Sequence, residues 1–284
     1  MKIAVFSDIH GNLTAIQTLL SHLSSGGFDA IYCLGDLFTP YPGSLQIWDL
    51  IKSARVQCVQ GNNEAALIAH LTGRQDYRSD DAVRFRPFLK NAAELAPLLT
   101  ELQAVPLSRT VHLTQKIHLH LCHYSPNEVL RGLHSSVKNM DDYVSHLPEQ
   151  IVLTGHTHTF SARDIQGKQV YTVGSAGLPI QGSQQLEYAV VQNLHGEFSI
   201  SYHFLPYPFE QQIAFLIAHR FLQDYGPVAW LAFDEVLCQR DRMFRFFNEY
   251  LPLQTNLPHD FYRLVEAFLR SIGRWEAVTK YFEQ

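Results

Sequence analysis

The sequence predicts an α/β protein: a parallel β–α layer, a second half richer in antiparallel strands, and a helical tail. Three observations carry this. From Lys2 to Asn62, short apolar runs alternate with stretches of helical periodicity in the order strand, helix, strand, helix, strand. That order is the pattern of a parallel sheet covered by helices. From Arg109 to Tyr207, apolar and polar residues alternate with the period of strands. From about Phe209 the period becomes helical, with Pro227, Pro252 and Pro258 marking breaks.

The elements follow in order. KIAVF (residues 2–6) is a β-rich run that enters the polar turn SDIHGN. In the next segment Leu13, Ile16, Leu19, Leu20 and Leu23 recur at helical spacing, and Gly26–Gly27 ends the helix. AIYCLGD is a second strand, SLQIWDLIKS a helix and RVQCVQGN a third strand. Residues 64–104 read as a helical insertion beside the site. Strands resume at RTVHL, KIHLHLCHYS, QIVLTGH, SARDIQGKQVYTVGS, LEYAVVQNL and EFSISYHFLPY. The expected division is one α/β domain over 1–208 and a helical C-terminal extension over 209–284.

Composition narrows the function classes. The 46% hydrophobic and 17% charged content suits a globular core. A net charge of −5 without a Lys/Arg block gives a nucleic-acid footprint little support. Cys33, Cys58, Cys122 and Cys238 form no C-x-x-C pair and read as free thiols, which suits a reducing cytoplasm. The first apolar run is interrupted by Asp8, too early for a signal peptide or a membrane span.

The chemistry gathers at strand ends, where the sites of open α/β sheets lie. The first run ends in Asp8-x-His10 and the second in Asp36. The third ends in Gly61-Asn62-Asn63-Glu64, a later one in His123, and QIVLTGH leads into His156-x-His158. Each motif alone is ordinary; five in succession are not. His123 falls on the opposite strand face from His118 and His120, which read as structural or exposed. His112, His195 and His203 lack acidic company. Asn12 reads as a helix cap. Glu64 reads as a support for a ligand or as an acid opening the next helix.

Together DIHGN, LGD, GNNE, the HYS histidine and GHTH resemble the calcineurin-like metallophosphoesterase superfamily, in particular its small bacterial and archaeal branch beginning D-I-H-G-N. The resemblance covers about residues 1–177. It implies a four-layer αββα sandwich running to about residue 209, with the helical tail outside it. It further implies two divalent metal ions. Asp8, His10 and His158 would hold one, Asn62, His123 and His156 the other, and Asp36 would bridge. Imidazole, carboxylate and amide ligands without thiolate suit Mn²⁺ first, with Fe, Zn²⁺, Ni²⁺ or Mg²⁺ as alternatives. The implied reaction is hydrolysis of a phosphodiester or a small phosphomonoester, nucleotide-like substrates included, by a metal-bridging hydroxide.

Two departures qualify the resemblance. Asn63 stands where the family commonly has a histidine that binds phosphate and protonates the leaving group, and an amide cannot transfer that proton. The expected consequence is a better leaving group, such as an aryl phosphate or pyrophosphate, or another acid, with His70 and His134 as candidates. Asp36 is followed by LFTPYPG rather than by the arginine of the phosphoprotein phosphatase branch. Tyr41 in that segment reads as a turn residue or a pocket wall. In the tail, Trp230, Phe233, Phe244, Phe247 and Trp275 form an apolar stripe that serves as core or as a surface for a protein partner or a second copy. The rival reading of the whole is a non-hydrolytic scaffold on the same fold, similar to the phosphoesterase-like subunit of retromer.

Overall fold

A computed structural model describes residues 1–283 apart from 78–81, 135–139, 181, 183–184, 195 and 255–259. His195, Pro258 and the side chain of His134 therefore lie outside the described residues. Among the described residues ten strands form two five-stranded sheets. The first contains β1 (Lys2–Phe6), β2 (Ala30–Cys33), β3 (Gln57–Cys58), β9 (Gln185–Leu194) and β10 (Glu197–Pro206), in the order β10-β9-β1-β2-β3. The second contains β4 (Ser108–His112), β5 (His118–Cys122), β6 (Ile151–Thr154), β7 (Phe160–Ile165) and β8 (Lys168–Val173), in the order β4-β5-β6-β8-β7. β1, β2 and β3 run parallel, as do β5, β6 and β8.

The alternation of side chains along β1 builds two cores at once. Ile3 and Val5 point between the sheets, where they meet Leu121, Leu153 and Ala189. Ala4 and Phe6 point the other way, against Ile16 and Leu19 of α1 (Leu13–Ser24) and Ile47 of α2 (Ser44–Ser53). On the far side of the second sheet, Met140 and Val144 of a short helix cover Cys122, Val152 and Val170. The result is the αββα order of layers. Each fully buried side chain the size of Phe6 stabilises it by roughly 1.5–3 kcal/mol.

Two boundaries differ from the sequence reading. β3 is only two residues long, because beyond Cys58 the chain leaves the ladder and Gln60 N–H donates to Pro106 O instead. α3 (Asn62–Leu71) begins inside the G-N-N-E motif, so Asn62 and Asn63 sit in its first turn. The helices α3, α4 (Arg86–Leu95) and α5 (Leu99–Ala104) place Leu67, Phe88, Leu95 and Leu102 in the same core as α1 and α2.

Beyond α6 (Pro126–Val129) and α7 (Met140–Ser145), the tail forms a core of its own from α8 (Phe209–Ala218), α9 (Phe221–Asp224), α10 (Pro227–Cys238), a π-helical segment (Arg245–Tyr250) and α11 (Phe261–Ser271). Phe221, Phe233, Phe246 and Val265 are fully buried there, and the Trp230 and Trp275 rings meet at 5.3 Å. Tyr41 lies in the bend between β2 and α2, as the sequence suggested, and its ring does not line the cavity beside the site. It is fully buried in this tail core and donates its hydroxyl to Ala232 O at 2.9 Å, so it pins the tail to the loop after β2. Among the described residues no helix is long and apolar enough to cross a membrane.

One buried acid gives the sheet a pH dependence. Glu187 of β9 is 1% exposed, and burial pushes its pKa up to about 7 despite the N–H of Ser175 donating to it. The folded chain therefore retains a proton that the unfolded chain releases near pH 4.5, so stability falls as pH rises through that window. Buried Glu235 contributes with the same sign, its pKa raised to about 8 by burial. Glu187→Gln should accordingly show a smaller fall in Tm between pH 5 and pH 8 than the parent chain. An identical fall in both proteins would refute this assignment.

Candidate metal centre

The site is built from loops that leave parallel strands at the same edge. Asp8 and His10 follow β1, Asp36 follows β2, Asn62 follows β3, His123 follows β5, and His156 and His158 follow β6. Five of these residues have left-handed backbones: Asp8 (φ 58°), His10 (53°), Asp36 (53°), His156 (74°) and His158 (56°). For side-chain-bearing residues that conformation stores strain, on the order of 1–3 kcal/mol each, and it concentrates where geometry serves function. Glycine makes the close approach possible. A Cβ on Gly35 or Gly61 would strike the other loop, and on Gly61 it would strike the Asp36 carboxylate itself.

All seven predicted ligands converge. Asp8 Oδ1 lies 3.4 Å from His158 Nε2, 3.7 Å from His10 Nε2 and 4.0 Å from His123 Nε2. Asp36 Oδ2 lies between His10 Nε2 at 3.7 Å and His123 Nε2 at 3.6 Å. Asn62 Oδ1 faces His123 Nε2 at 3.1 Å and His156 Nδ1 at 3.0 Å. The ligand atoms of Asp8, His10 and His158 form one group with metal-binding spacing, and those of Asp8, Asp36 and His123 form another.

The surrounding hydrogen bonds fix His10, Asp36, His123 and His158. His10, His123 and His158 each donate Nδ1–H to a backbone carbonyl, of Thr39 (3.0 Å), Leu34 (2.8 Å) and Leu178 (3.1 Å). A carbonyl only accepts, so the neutral rings present bare Nε2 lone pairs to the centre. Asn63 holds both oxygens of Asp36, through its backbone N–H at 2.9 Å and its amide at 2.5 Å, while Thr39 donates to Asn63 Oδ1 at 2.6 Å. Glu64 accepts the N–H groups of Gly61, Asp36 and Leu37 and ties two ligand loops together. Burial and the charge of Asp36 push its pKa up to about 7.

The donor set fits cations. His10 Nε2 and His158 Nε2 face each other at 3.0 Å, two lone pairs with no proton required by either partner. His123 Nε2 faces the Asn62 oxygen in the same way. Asp8 Oδ1 is buried without a hydrogen-bond partner. Two buried carboxylates demand positive charge here. Burial opposes a charge on His10, yet the nearby carboxylates of Asp8 and Asp36 outweigh it and raise its pKa to about 9. A proton on His10 answers part of that demand; divalent cations would answer all of it and separate the facing lone pairs.

The other sequence candidates lie elsewhere. His70 is buried between Tyr77 and Phe88. His120 pairs with the Tyr143 hydroxyl at 2.7 Å, His112 and His118 stack edge to face, and His203 stacks on Tyr188. Asn12 caps α1 by accepting from Ala15 N–H at 3.0 Å, as read from the sequence. The turn after β8 was not foreseen as part of the site. Its Ser175 hydroxyl and Gly177 N–H both donate to Asp8 O, and its Leu178 carbonyl orients His158. The signal was available, because GSAG also follows an apolar strand.

A family model for the calcineurin-like phosphoesterase superfamily domain matches residues 1–195. The chain belongs to that superfamily. Members of the superfamily hydrolyse phosphate esters, and the ligand clusters agree with its divalent-metal chemistry. A 66-residue stretch is 33% identical to an uncharacterised protein of Methanocaldococcus jannaschii, covering 23% of this chain and 27% of that protein. The match thus spans only about a quarter of that relative's length. The fold is similar to a metallophosphoesterase from Sphaerobacter thermophilus, with a TM-score of 0.59 and 21% identity over 77% of this chain and 94% of the other. It is also similar to a hypothetical protein from Pyrococcus horikoshii, with a TM-score of 0.65 and 14% identity over 84% and 99% of the two chains.

Proposed function

We propose that this chain hydrolyses a phosphodiester or a small phosphomonoester at a two-metal centre held by Asp8, His10, Asp36, Asn62, His123, His156 and His158. The observation that carries this is the convergence of ligand atoms around two buried carboxylates, with Asp8, His10, Asp36, His123 and His158 each oriented by a further hydrogen bond. Bound divalent ions, with Mn²⁺ the first to try, would supply Lewis acidity toward water and toward the phosphoryl oxygens.

The chain's own residues supply preorganisation. Asp36 Oδ2 lies within 3.7 Å of His10 and His123, and Asn63 grips both carboxylate oxygens and holds the group in that orientation. Asn63 thereby acts as a positioning residue. Asp8 accepts the His156 N–H through Oδ2 at 3.0 Å, which leaves Oδ1 for the centre. His10 and Asn63 also line a cavity through which an ester can reach the ligands. With an amide where a proton donor would stand, esters of acidic alcohols are favoured, since losing general acid catalysis typically costs about 10²–10⁴-fold.

The test is direct. Purified protein loaded with Mn²⁺ should cleave bis(p-nitrophenyl) phosphate or p-nitrophenyl phosphate, and a chelator should stop it. Elemental analysis should find metal on the chain. Failure on both esters and on nucleotides, with metal bound, would leave the scaffold reading in its place.

A further inference from the structure

The cavity above the ligand cluster encloses about 640 Å³. That lies within the roughly 300–1,000 Å³ of small-molecule sites and far exceeds the ~30 Å³ share of one liquid water. A phosphoryl group against His10 and Asn63 fills a small part of it. The rest is walled by two segments distant in sequence, Arg84 and Phe85 ahead of α4 and Phe244 and Phe247 of the tail.

The tail wall has a specific construction. Phe246 is fully buried and packs against Phe261 and Phe268, which anchors the segment in the tail core. Its neighbour Phe244 is 57% exposed and stands in the cavity wall with Phe247. The backbone here is a π-helix, a rare winding found frequently at functional sites. The Arg84 guanidinium lies 4.6 Å above the Phe247 ring and 5.3 Å from that of Phe85, so cation and rings hold one another. Arg131, paired with Glu128 at 3.4 Å and 54% exposed, adds a second positive charge to the wall.

We propose that this cavity binds the organic part of the ester and selects a flat aromatic group, nucleobase or simple aryl, by stacking on the exposed ring of Phe244, beside the half-buried Phe247. Arg84 and Arg131 in the same wall supply positive charge toward the phosphate. The proposal rests on the phosphoesterase reading and adds to it the substrate class. An exposed ring in a wall that also carries cations offers a π face and a counter-charge together, which suits an aromatic phosphate. An aliphatic sugar phosphate would use the charge and leave the rings in water. The selecting residues come from the tail and from the segment ahead of α4.

Adenosine 5′-monophosphate, phenyl phosphate and ribose 5-phosphate separate the contributions. The wild type should favour the adenosine ester over ribose 5-phosphate by about tenfold or more in kcat/KM, the effect of one stacking platform. Phe244→Ala should bring that ratio toward one through KM, and Phe244→Trp should restore it. Phe244 is exposed, so neither change threatens folding. Loss of the preference for both aromatic esters indicates recognition of any aromatic ring, and loss for the nucleotide alone indicates a nucleobase site. Equal handling of the adenosine and ribose esters by the wild type, or an undiminished preference in Phe244→Ala, overturns the proposal. If no ester is cleaved, the phosphoesterase reading has failed, and calorimetric binding of adenosine 5′-monophosphate decides separately: about tenfold weaker binding to Phe244→Ala upholds the cavity's role, and equal affinity refutes it.

Discussion

Asp36→Asn is expected to lower ester hydrolysis by about 10³-fold, beyond the ~10–100-fold typical of losing an outer hydrogen-bond partner of a metal ligand. The reason is position. Asp36 Oδ2 lies 3.7 Å from His10 and 3.6 Å from His123, one histidine from each proposed ligand set, a span it shares with Asp8 Oδ1 at 3.7 and 4.0 Å. An amide there removes the negative charge and turns its oxygen toward the Asn63 amide, which faces that site at 2.5 Å. Metal content by elemental analysis should fall with activity. The change in Tm should be small: removing the charge relieves the repulsion on Glu64, while one of the two Asn63 donors loses its acceptor. Lost metal and lost turnover without unfolding is the expected set. Activity within about tenfold of the parent chain would mean that Asp36 does not join two ions, and the two-metal reading would fall with it.

The convergence of the seven predicted ligands was legible because its signal is local. Each ends an apolar run, so a strand of two to five residues delivers it beside its neighbours. The backbone that presents them was not legible. Left-handed geometry at Asp8, His10, Asp36, His156 and His158 accompanies close contacts between loops, such as that of Gly35 with Gly61. Glu64 opens α3, and its carboxylate gathers three N–H groups that become neighbours only when β2 and β3 pair. The buried role of the Tyr41 ring was hidden for the same reason, its partner Ala232 being far along the chain. In the tail, periodicity treats Phe244, Phe246 and Phe247 alike. Only packing distinguishes the ring that anchors from the rings that line a cavity.

Asp234→Ala carries the largest expected cost in stability, about 3–5 kcal/mol, the range for breaking a buried ion pair and stranding its partner. Asp234 is fully buried in α10, with Arg242 Nε donating to it at 2.6 Å and Arg274 Nε at 2.8 Å. The Arg242 side chain is only 7% exposed and cannot recover its hydration when the acid is removed. Arg274, at 29%, can recover more, so Arg274→Ala should cost distinctly less. The damage should also reach the substrate cavity. The adjacent Glu235 accepts the N–H groups of Arg242 and Met243 at 2.7 and 2.9 Å, so consecutive acids of one helix hold the turn that leads into Phe244. Loosening that turn should raise KM for an aromatic ester while metal stays bound, since no metal ligand belongs to the tail. Denaturant unfolding of Asp234→Ala and Arg274→Ala beside the parent chain measures the stability difference. A loss below about 1 kcal/mol for Asp234→Ala would place this pair among ordinary surface bridges. The hold on the cavity wall would then have to come from Glu235 and the buried Phe246 alone.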